Sequence, residues 1–499
     1  MKKFFVTTPI YYVNDKPHIG HAYTTIVADI LARWQRMQGA EVLFLTGTDE
    51  NSQKNVEAAK KNKEKDLQKY VDKMSAVWQE TWDSLNLTID DFIRTTEPRH
   101  KKAVEKFFKA VNQAGDIYQG EYEGWYCNGC EAFVTESDLI DGNCPIHKKP
   151  VEKIKEKNYF FKLTNYRDKL IEHIEKNPDF IEPKARRNEV ISYVKDFMTD
   201  ISISRESMEW GISVPGDPKQ VIYVWFDALI NYISAAGYGD DQKKFKKFWP
   251  ADLHIVGKDI IKFHCALWPA MLMSAGLPLP KKIFAHGFFT VDGDKISKSL
   301  GNAIDPVKLT SQYGIDTVRY FLLREISFGE DGAFSLERLK DRYESDLANE
   351  LGNLLNRVLG MTEKYCDNKV PKAAGEDIEN WPIIIESMNK LDFTRALDEI
   401  WEVIREANRF IDREQPWKLE KIDTDRLNSV LYILLETLRN VGWMLLPIMP
   451  QIAEEIWLQL GIDWEEEKTI KFEKAIKWAG LKTGTRIKKG KPLFPRLES

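Results

Sequence analysis

The chain has 499 residues, of which 43% are hydrophobic and 30% are charged, and its formal net charge is −5 at pH 7. This length suits roughly three domains, and no apolar run approaches the ~20 residues that a membrane-spanning helix needs. The N-terminus enters a predicted strand without a signal-peptide pattern, and the five cysteines in such a chain argue against a disulfide framework. We therefore expect a cytoplasmic protein that does not contact a membrane.

The first predicted strand, residues 4–10, leads into a segment whose apolar residues follow a helical spacing. His18 and His21 thus lie where a strand passes into a helix. The N-terminus of that helix presents N–H groups and a positive dipole end, which suit bound phosphate. Gly20 has no side chain to keep a ligand off the backbone. Two histidines in a surface loop would give the same pattern. The phosphate-binding interpretation therefore depends on a second phosphate motif elsewhere in the chain.

A second predicted strand, residues 41–46, brings Asp49 to a strand's carboxyl end, where doubly wound sheets bind ligands. The Asp49 carboxylate could hold an α-ammonium group or could cap the next helix, and position alone favours neither. Residues 51–114 are predicted to be mostly helical and carry no recognisable chemistry.

Residues 115–216 break the alternation of strand and helix and contain Cys127, Cys130, Cys144 and His147. The two-residue gaps within each pair are typical of a zinc knuckle, and a Cys3His set closes the tetrahedral coordination sphere of one structural zinc ion. Three unrelated cysteines or a redox CxxC motif are the alternatives, but no thioredoxin-like context surrounds this pair.

The alternation returns over residues 220–290, which we interpret as the second half of one parallel sheet. The aromatic stripe around Trp225 could be simple core, and Asp259 again follows a predicted strand. The last strand delivers the cationic run 295–299, with the sequence KISKS. Alone this run could be a solvated turn, but with the histidine stretch it forms a second phosphate motif.

Strands end at about residue 335, and long helical periodicities then predict an α-helical bundle. Asn349, Asn353 and Arg357 are spaced by four, so we expect them on one helix face. Trp417 follows a proline between helices and could be an exposed stacking platform for a base. A polar bundle face with a tryptophan over the core is the plainer interpretation. The basic segment at residues 482–496 could contact RNA or be a solvated tail.

These motifs, in this order, resemble the two signatures of class I aminoacyl-tRNA synthetases. The resemblance is close to the methionyl-tRNA synthetase family and covers essentially the whole chain. The shared features are the histidine stretch, GTDE at 47–50, the zinc pairs, the sequences YVW and GKD that end at Trp225 and Asp259, and the lysine run. Ile296 stands where the family more often has methionine, and His147 stands where some members have a fourth cysteine.

The resemblance implies that methionine is activated with ATP to methionyl-adenylate, releasing pyrophosphate, and is then transferred to the 3′ end of tRNA(Met) for protein synthesis, including initiation. Mg2+ would accompany ATP, and one zinc ion would be structural. The resemblance implies that the catalytic residues are His18, His21, Lys295 and Lys298, and that ATP is bound by His18, Gly20, His21, Lys295, Ser297 and Lys298. It implies that methionine is bound by Ile10, Tyr12, Asp49, Trp225, Leu229, Tyr232, Asp259 and His264. It also implies that zinc is bound by Cys127, Cys130, Cys144 and His147, and the anticodon by Asn349, Asn353, Arg357 and Trp417.

The expected fold is α/β, with a Rossmann-type parallel-sheet catalytic domain that is split by a zinc-binding insertion and followed by an α-helical bundle domain. The expected segments are 1–115 and 220–290 for the catalytic domain, 116–219 for the insertion, 291–345 for a linking region with the KISKS loop, and 346–499 for the anticodon-binding domain. The chain lacks the extra C-terminal domain that many relatives use for dimerisation, so we expect a monomer, with a separate tRNA-binding subunit remaining possible.

Two alternatives remain. A synthetase for another amino acid, such as cysteine or valine, would share both signatures, and the pocket sequence argues against it. A catalytically silent zinc-containing RNA-binding protein would have lost one of the phosphate motifs, whereas both are intact here.

Overall fold

Two compact units make up the chain. The sheet unit comprises Lys3–Ala28 and Val42–His286, and the helical unit comprises Met1–Lys2, Asp29–Glu41 and Gly287–Ser499. The computed structural model describes residues 2–127, 132–134, 136, 139–145, 148–206, 208–291, 294–295, 303–375 and 377–497.

The sheet unit alternates strands and helices in its first and last parts. Its strands are β1 Lys3–Thr7, β2 Tyr11–Tyr12, β3 Glu41–Asp49, β4 Asp91–Arg94, β5 Ile117–Cys127, β6 Ala132–Val134, β7 Glu152–Phe161, β8 Ile181–Glu182, β9 Ile201–Ser202, β10 Ser204–Arg205, β11 Ser213–Val214, β12 Asp217–Ile222, β13 Leu253–Gly257 and β14 Ile283–His286. Its helices are α1 Ile19–Met37, whose residues from Asp29 onward count with the helical unit, α2 Gln53–Lys61, α3 Leu67–Ser84, α4 Pro98–Gln113, α5 Arg167–Lys176, α6 Lys184–Ser192, α7 Val224–Ala228, α8 Asn231–Ala235, α9 Gln242–Phe248 and α10 Trp268–Ser274.

The central sheet has the order β2-β3-β1-β13-β14-β8, and β4 also pairs with β3. β1 pairs with β13, β13 with β14, β14 with β8, and β3 with both β2 and β4, all in parallel. All residues of β13 and β14 are buried, which is typical of parallel strands that are covered on both faces. The prediction of a Rossmann-like parallel sheet is therefore confirmed.

Two strands of this sheet differ from the sequence prediction. β4 lies in the stretch 51–114, which contains α2, α3 and α4 and is mostly helical as predicted, but the strand itself was not predicted. Only Ile93 of its four residues is buried, and the sequence of the strand lacks the alternation of apolar and polar residues that predicts a half-buried strand. β8 lies within 116–219 and pairs with β14, so this stretch contributes to the central sheet.

Two smaller antiparallel sheets lie within residues 116–222. β5 and β7 pair from Ile117↔Phe161 to Tyr126↔Glu152, and β6 and β9 extend this sheet on its two sides. β10, β12 and β11 form the second sheet.

Among its described residues, the helical unit contains three short strands and a long series of helices. Its elements are β15 Phe289–Val291, β16 Asp294–Lys295, β17 Gly332–Ala333, α11 Pro306–Tyr313, α12 Ile315–Arg324, α13 Leu336–Arg342, α14 Asn353–Cys366, α15 Trp381–Asn389, α16 Phe393–Glu414, α17 Pro416–Leu419, α18 Thr424–Leu445, α19 Pro450–Gln459, α20 Trp464–Glu467 and α21 Phe472–Ala475. The predicted helical domain is confirmed. In the part of the chain that the structure describes, no helix is both long enough and apolar enough to cross a bilayer.

Candidate active site

His18 and His21 stand at the first turn of α1, where the sequence predicted them. Their rings stack with centroids 3.7 Å apart, and the ring of His21 also contacts Tyr11 and Trp78 at 5.1 and 5.0 Å. Both histidines are half-buried, so their packing fixes the rings while one side of each remains accessible.

Backbone hydrogen bonds select one tautomer for both rings. The N–H of Gly20 donates to Nδ1 of His18 at 3.1 Å, and the N–H of His18 donates to Nδ1 of His21 at 3.2 Å. Because each Nδ1 accepts a hydrogen bond, the proton of each neutral imidazole lies on Nε2. Each ring can therefore donate from Nε2 to an anionic oxygen.

Gly20 serves this arrangement in a way that the sequence did not reveal. A Cβ atom at this position would lie 3.0 Å from Cε1 of His18 and 3.1 Å from its Nδ1. A side chain would therefore press on the imidazole, so the glycine lets the ring pack against the backbone of α1.

Asp49 is the last residue of β3 and is 3% exposed. The N–H of Asn51 donates to its Oδ1 at 3.3 Å. The next helix, α2, has Ser52 as its N-cap, whose side chain accepts from the N–H of Lys54, so Asp49 does not cap that helix. Tyr12 is the register partner of Asp49 in the parallel pair β2–β3. The Asp49 carboxylate thus lies at the ligand-binding edge of the sheet.

An aromatic cluster forms at the carboxyl end of β13. The Tyr232 hydroxyl lies 2.7 Å from Nε2 of His264, and both side chains are about 1% exposed. The ring of Trp225 meets that of His264 edge-on at 6.1 Å and stacks on that of Phe263 at 3.9 Å. Leu229 lies one turn beyond Trp225 and is buried. The structure therefore brings four of the predicted methionine-binding side chains together.

Two other predicted side chains, those of Ile10 and Asp259, are less buried than those of Tyr232 and His264. Ile10 is partly buried against the hydrophobic core, and Asp259 is exposed in the short turn after β13. Burial lowers the pKa of His264 to about 4, and a hydrogen bond to the Ile260 carbonyl and the nearby charge of Asp259 oppose that shift. The Asp259 carboxylate is thus close enough to act electrostatically on this cluster.

A buried polar network behind Asp49 was missed from the sequence. Nδ2 of Asn51 donates to Oδ2 of Asp227 at 2.7 Å, and Nε2 of His100 donates to Oδ1 of Asp227 at 2.7 Å. Nδ1 of His100 lies 2.9 Å from the Ser234 hydroxyl. Because Asp227 belongs to α7 and Ser234 to α8, the network joins the backbone that binds Asp49 to the helices that carry Trp225 and Tyr232.

Part of the predicted phosphate and zinc sites lies outside the described residues. The backbone of Lys295 ends β16, whereas Ser297 and Lys298 lie outside. Cys127 and Cys144 are both 1% exposed, while Cys130 and His147 lie outside the described residues. No group of three metal-binding side chains occurs among the residues that are described, which contain only two of the four predicted zinc ligands.

The predicted anticodon residues lie on one continuous helical stretch and on α17 of the helical unit. Asn349 is exposed in a π-helical stretch, Tyr343–Gly352, which continues into α14 at the exposed Asn353. The guanidinium of Arg357 donates to Oδ1 of Asp412 at 2.7 Å. Trp417 in α17 is 46% exposed, so its ring is not enclosed in the bundle core.

Comparison with known proteins identifies the family. The family model described as "tRNA synthetases class I (M)" matches residues 4–153 and 136–359, and the model described as "Anticodon-binding domain of tRNA ligase" matches residues 383–483. The methionine--tRNA ligase of Caldanaerobacter subterraneus subsp. tengcongensis is 49% identical over 100% of this chain and 79% of its own length. That of Rickettsia conorii is 49% identical over 99% of both chains.

A solved structure agrees with this assignment. Mycobacterium tuberculosis methionyl-tRNA synthetase in complex with methionyl-adenylate has a TM-score of 0.93 and 42% identity, covering 99% of this chain and 100% of its own. Because these matches cover 99–100% of this chain, they include both the parallel sheet and the helical unit. The chain belongs to the methionine--tRNA ligase family of class I aminoacyl-tRNA synthetases.

Proposed function

We propose that this methionine--tRNA ligase forms methionyl-adenylate at the carboxyl edge of its central sheet. The observation that carries the proposal is the buried Tyr232–His264 pair beside Trp225, on the same sheet edge as Asp49. This group offers an aromatic wall for a thioether and a carboxylate for an ammonium group, which together match methionine.

Each predicted side chain then binds one part of methionine. Asp49 holds the α-ammonium group, and Asp259 adds a second negative charge near the site. The thioether packs against a pocket wall built from the remaining residues, which are Ile10, Tyr12, Trp225, Leu229, Tyr232 and His264.

ATP binds at the first turn of α1, where the Nε2–H groups of His18 and His21 donate to phosphate oxygens. Lys295, Ser297 and Lys298 contact the β- and γ-phosphates, and Mg2+ bound to the nucleotide would offset part of its charge. A methionine carboxylate oxygen attacks the α-phosphorus, and the bond to the pyrophosphate oxygen breaks. Such a displacement requires alignment and charge stabilisation rather than a proton-transfer residue.

We extend the proposal to one structural zinc ion held by Cys127, Cys130, Cys144 and His147. The two described ligands fit this role, since both are buried thiols and the chain turns back at Cys144, whose N–H donates to the Lys149 carbonyl at 2.9 Å. Metal analysis of purified protein should give one zinc per chain. Replacing all four ligands with serine should remove the metal, and retention of zinc by that variant would contradict the assignment.

The adenylate then transfers methionine to the 3′ end of tRNA(Met), whose anticodon contacts Asn349, Asn353, Arg357 and Trp417. Exposed amides, a guanidinium and an indole can bind the edges and faces of unstacked bases. We propose that the chain works as a monomer in the cytoplasm, where its tRNA substrate is used, with or without a separate tRNA-binding subunit.

The test of this function is amino-acid-dependent pyrophosphate exchange with each of the twenty amino acids. Exchange should occur efficiently with methionine alone. Asp49→Asn should raise KM for methionine about 10–100-fold, the scale of one charged hydrogen bond. Asp83→Asn, at an exposed aspartate of α3, is the matched control and should leave KM unchanged. An unchanged KM in Asp49→Asn would remove Asp49 from the site.

A further inference from the structure

We propose that the C-terminal segment 482–496 is a preformed strip of cations that binds the phosphate backbone of the tRNA beside the anticodon-reading face. The proposal deepens, and rests on, the proposed tRNA-charging function. The segment has no acidic residue in a chain whose net charge is −5. Its cations, which we call the basic strip, are Lys482, Arg486, Lys488, Lys489, Lys491 and Arg496.

The cations of the basic strip are exposed and form no ion pair with any residue that the structure describes. All six side chains are exposed, and no carboxylate among the described residues lies within ion-pair distance of any of them. Exposed arginines elsewhere in the helical unit behave differently. Arg409 pairs with Glu402, and Arg413 pairs with Glu406. The positive charge of the basic strip is therefore available to an external anion.

The backbone beneath these cations is held in place. The N–H groups of Ile487 and Lys488 donate to the carbonyls of Asn368 and Gln459 at 2.9 and 2.8 Å. The Gln459 side chain accepts from the N–H of Gly490 at 3.1 Å and donates to the Lys491 carbonyl at 3.0 Å. Because the segment is already ordered, binding a polyanion would not have to overcome the entropy of fixing a mobile tail.

Apolar anchors orient the segment so that its cations face outward. Ile487 is 4% exposed and Phe494 is 7% exposed, and Leu481 is buried just before the basic strip begins. The ring of Phe494 meets that of Tyr343 edge-on at 5.9 Å, and the Tyr343 hydroxyl donates to the Pro495 carbonyl at 2.5 Å. A solvated tail would not require this set of buried anchors.

The segment runs along the helical stretch that bears Asn349, Asn353 and Arg357. Nζ of Lys489 lies 3.7 Å from the position of a Cβ on Gly360, and Cδ2 of Phe494 lies 3.3 Å from that on Gly352. Gly360 is seven residues beyond Asn353, which is about two turns and roughly 10 Å along the same face of α14. The Lys489 ammonium therefore flanks the face of α14 that presents Asn353.

This arrangement suits a nucleic acid better than an acidic protein surface. Phosphate contacts position an RNA without reading its sequence, while side chains such as Asn353 and Trp417 can contact the bases. A row of lysines without bidentate geometry is suited to point-charge contact with phosphates. The basic strip should therefore contribute affinity that depends on salt and not on the anticodon sequence.

The test uses the full chain with Lys488→Ala, Lys489→Ala and Lys491→Ala combined, and transcripts of tRNA(Met) as the probe. At about 150 mM KCl, Kd should rise at least about tenfold. The slope of log K against log salt should fall by about 2, since each phosphate contact contributes roughly 0.7–0.9. Arginine at the same positions should preserve both values. Methionine-dependent pyrophosphate exchange without tRNA should not change and serves as the folding control.

A charge-matched control removes three exposed lysines of the sheet unit, Lys60, Lys61 and Lys65. An unchanged Kd and slope in the triple variant, or an equal loss in this control, would overturn the proposal. So would a loss confined to the tRNA with the matched anticodon, because the segment would then read bases. If Trp417→Ala leaves anticodon discrimination intact while the triple variant still lowers the slope, the anticodon assignment fails and the basic strip stands.

Discussion

The phenol of Tyr232 donates a hydrogen bond to Nε2 of His264 across 2.7 Å. The direction follows from the other side of the ring, where Nδ1 lies 3.0 Å from the Ile260 carbonyl, which can only accept. Nδ1 therefore carries the proton and Nε2 accepts. This bond fixes the orientation of both rings in the pocket proposed for the methionine thioether.

Tyr232→Phe should destabilise the protein and weaken methionine binding. It leaves Nε2 of His264 buried without a donor, at a cost of about 1–3 kcal/mol. Urea unfolding should show this loss, and exchange kinetics should show a higher KM for methionine with a smaller effect on kcat. Tyr238→Phe is the matched control, because no hydrogen bond of its hydroxyl is seen among the described residues. Equal KM values in wild type and Tyr232→Phe would contradict a role in the pocket.

The histidine also predicts how stability depends on pH. Burial lowers the pKa of His264 from about 6.5 to about 4, so the unfolded state binds more protons than the folded state between these values. The free energy of unfolding should therefore fall as the pH falls, by about 2 kcal/mol between pH 7 and pH 5 for this group. Burial of His254 acts in the same direction.

The measurement compares urea unfolding of wild type and His264→Asn at pH 7 and pH 5. The variant should lose less stability on acidification than wild type does. His173→Gln, at a half-buried histidine whose pKa burial also lowers, should change the pH dependence less. An identical pH dependence in wild type and His264→Asn would show that the neutral buried imidazole is not the cause.

Local signals in the sequence predicted the histidine turn and Asp49, because their positions follow from short-range rules. Gly39 lies just beyond the end of α1 with φ of 81°, the left-handed conformation expected of a glycine that terminates a helix. The network behind Asp49 could not be predicted in this way, since Asn51 and Asp227 are 176 residues apart in the chain. The π-helical stretch at residues 343–352 could not be predicted either. Apolar spacing indicates a helix but does not reveal the wider turn of a π-helix.

Asn51→Ala tests whether that network positions Asp49. The change removes the amide that binds Asp227 and loosens the segment whose N–H donates to Asp49, so the carboxylate should lose its alignment. We expect KM for methionine to rise about tenfold while KM for ATP stays near that of wild type, measured by pyrophosphate exchange. Asn62→Ala, at an exposed asparagine of the same segment, is the control. Equal rises in both KM values would indicate general damage rather than positioning.

Trp417→Ala separates the anticodon contact from the chemistry. With 46% of the residue exposed, the ring has a free face on which an unstacked base can pack, and such stacking contributes about 1–3 kcal/mol per base. The kcat/KM for charging of tRNA(Met) should therefore fall about 5- to 150-fold. Methionine-dependent pyrophosphate exchange, which needs no tRNA, should remain near the wild-type rate.

Trp417→Phe should retain part of the charging activity, because phenylalanine keeps a smaller stacking face. Phe197→Ala, at a 70% exposed aromatic residue of the sheet unit, is the control for removing a surface ring and should leave charging unchanged. If charging and exchange fall together in Trp417→Ala, the indole supports the fold of the bundle. Loss of charging alone, recovered in part by phenylalanine, is the result that stacking on an anticodon base requires.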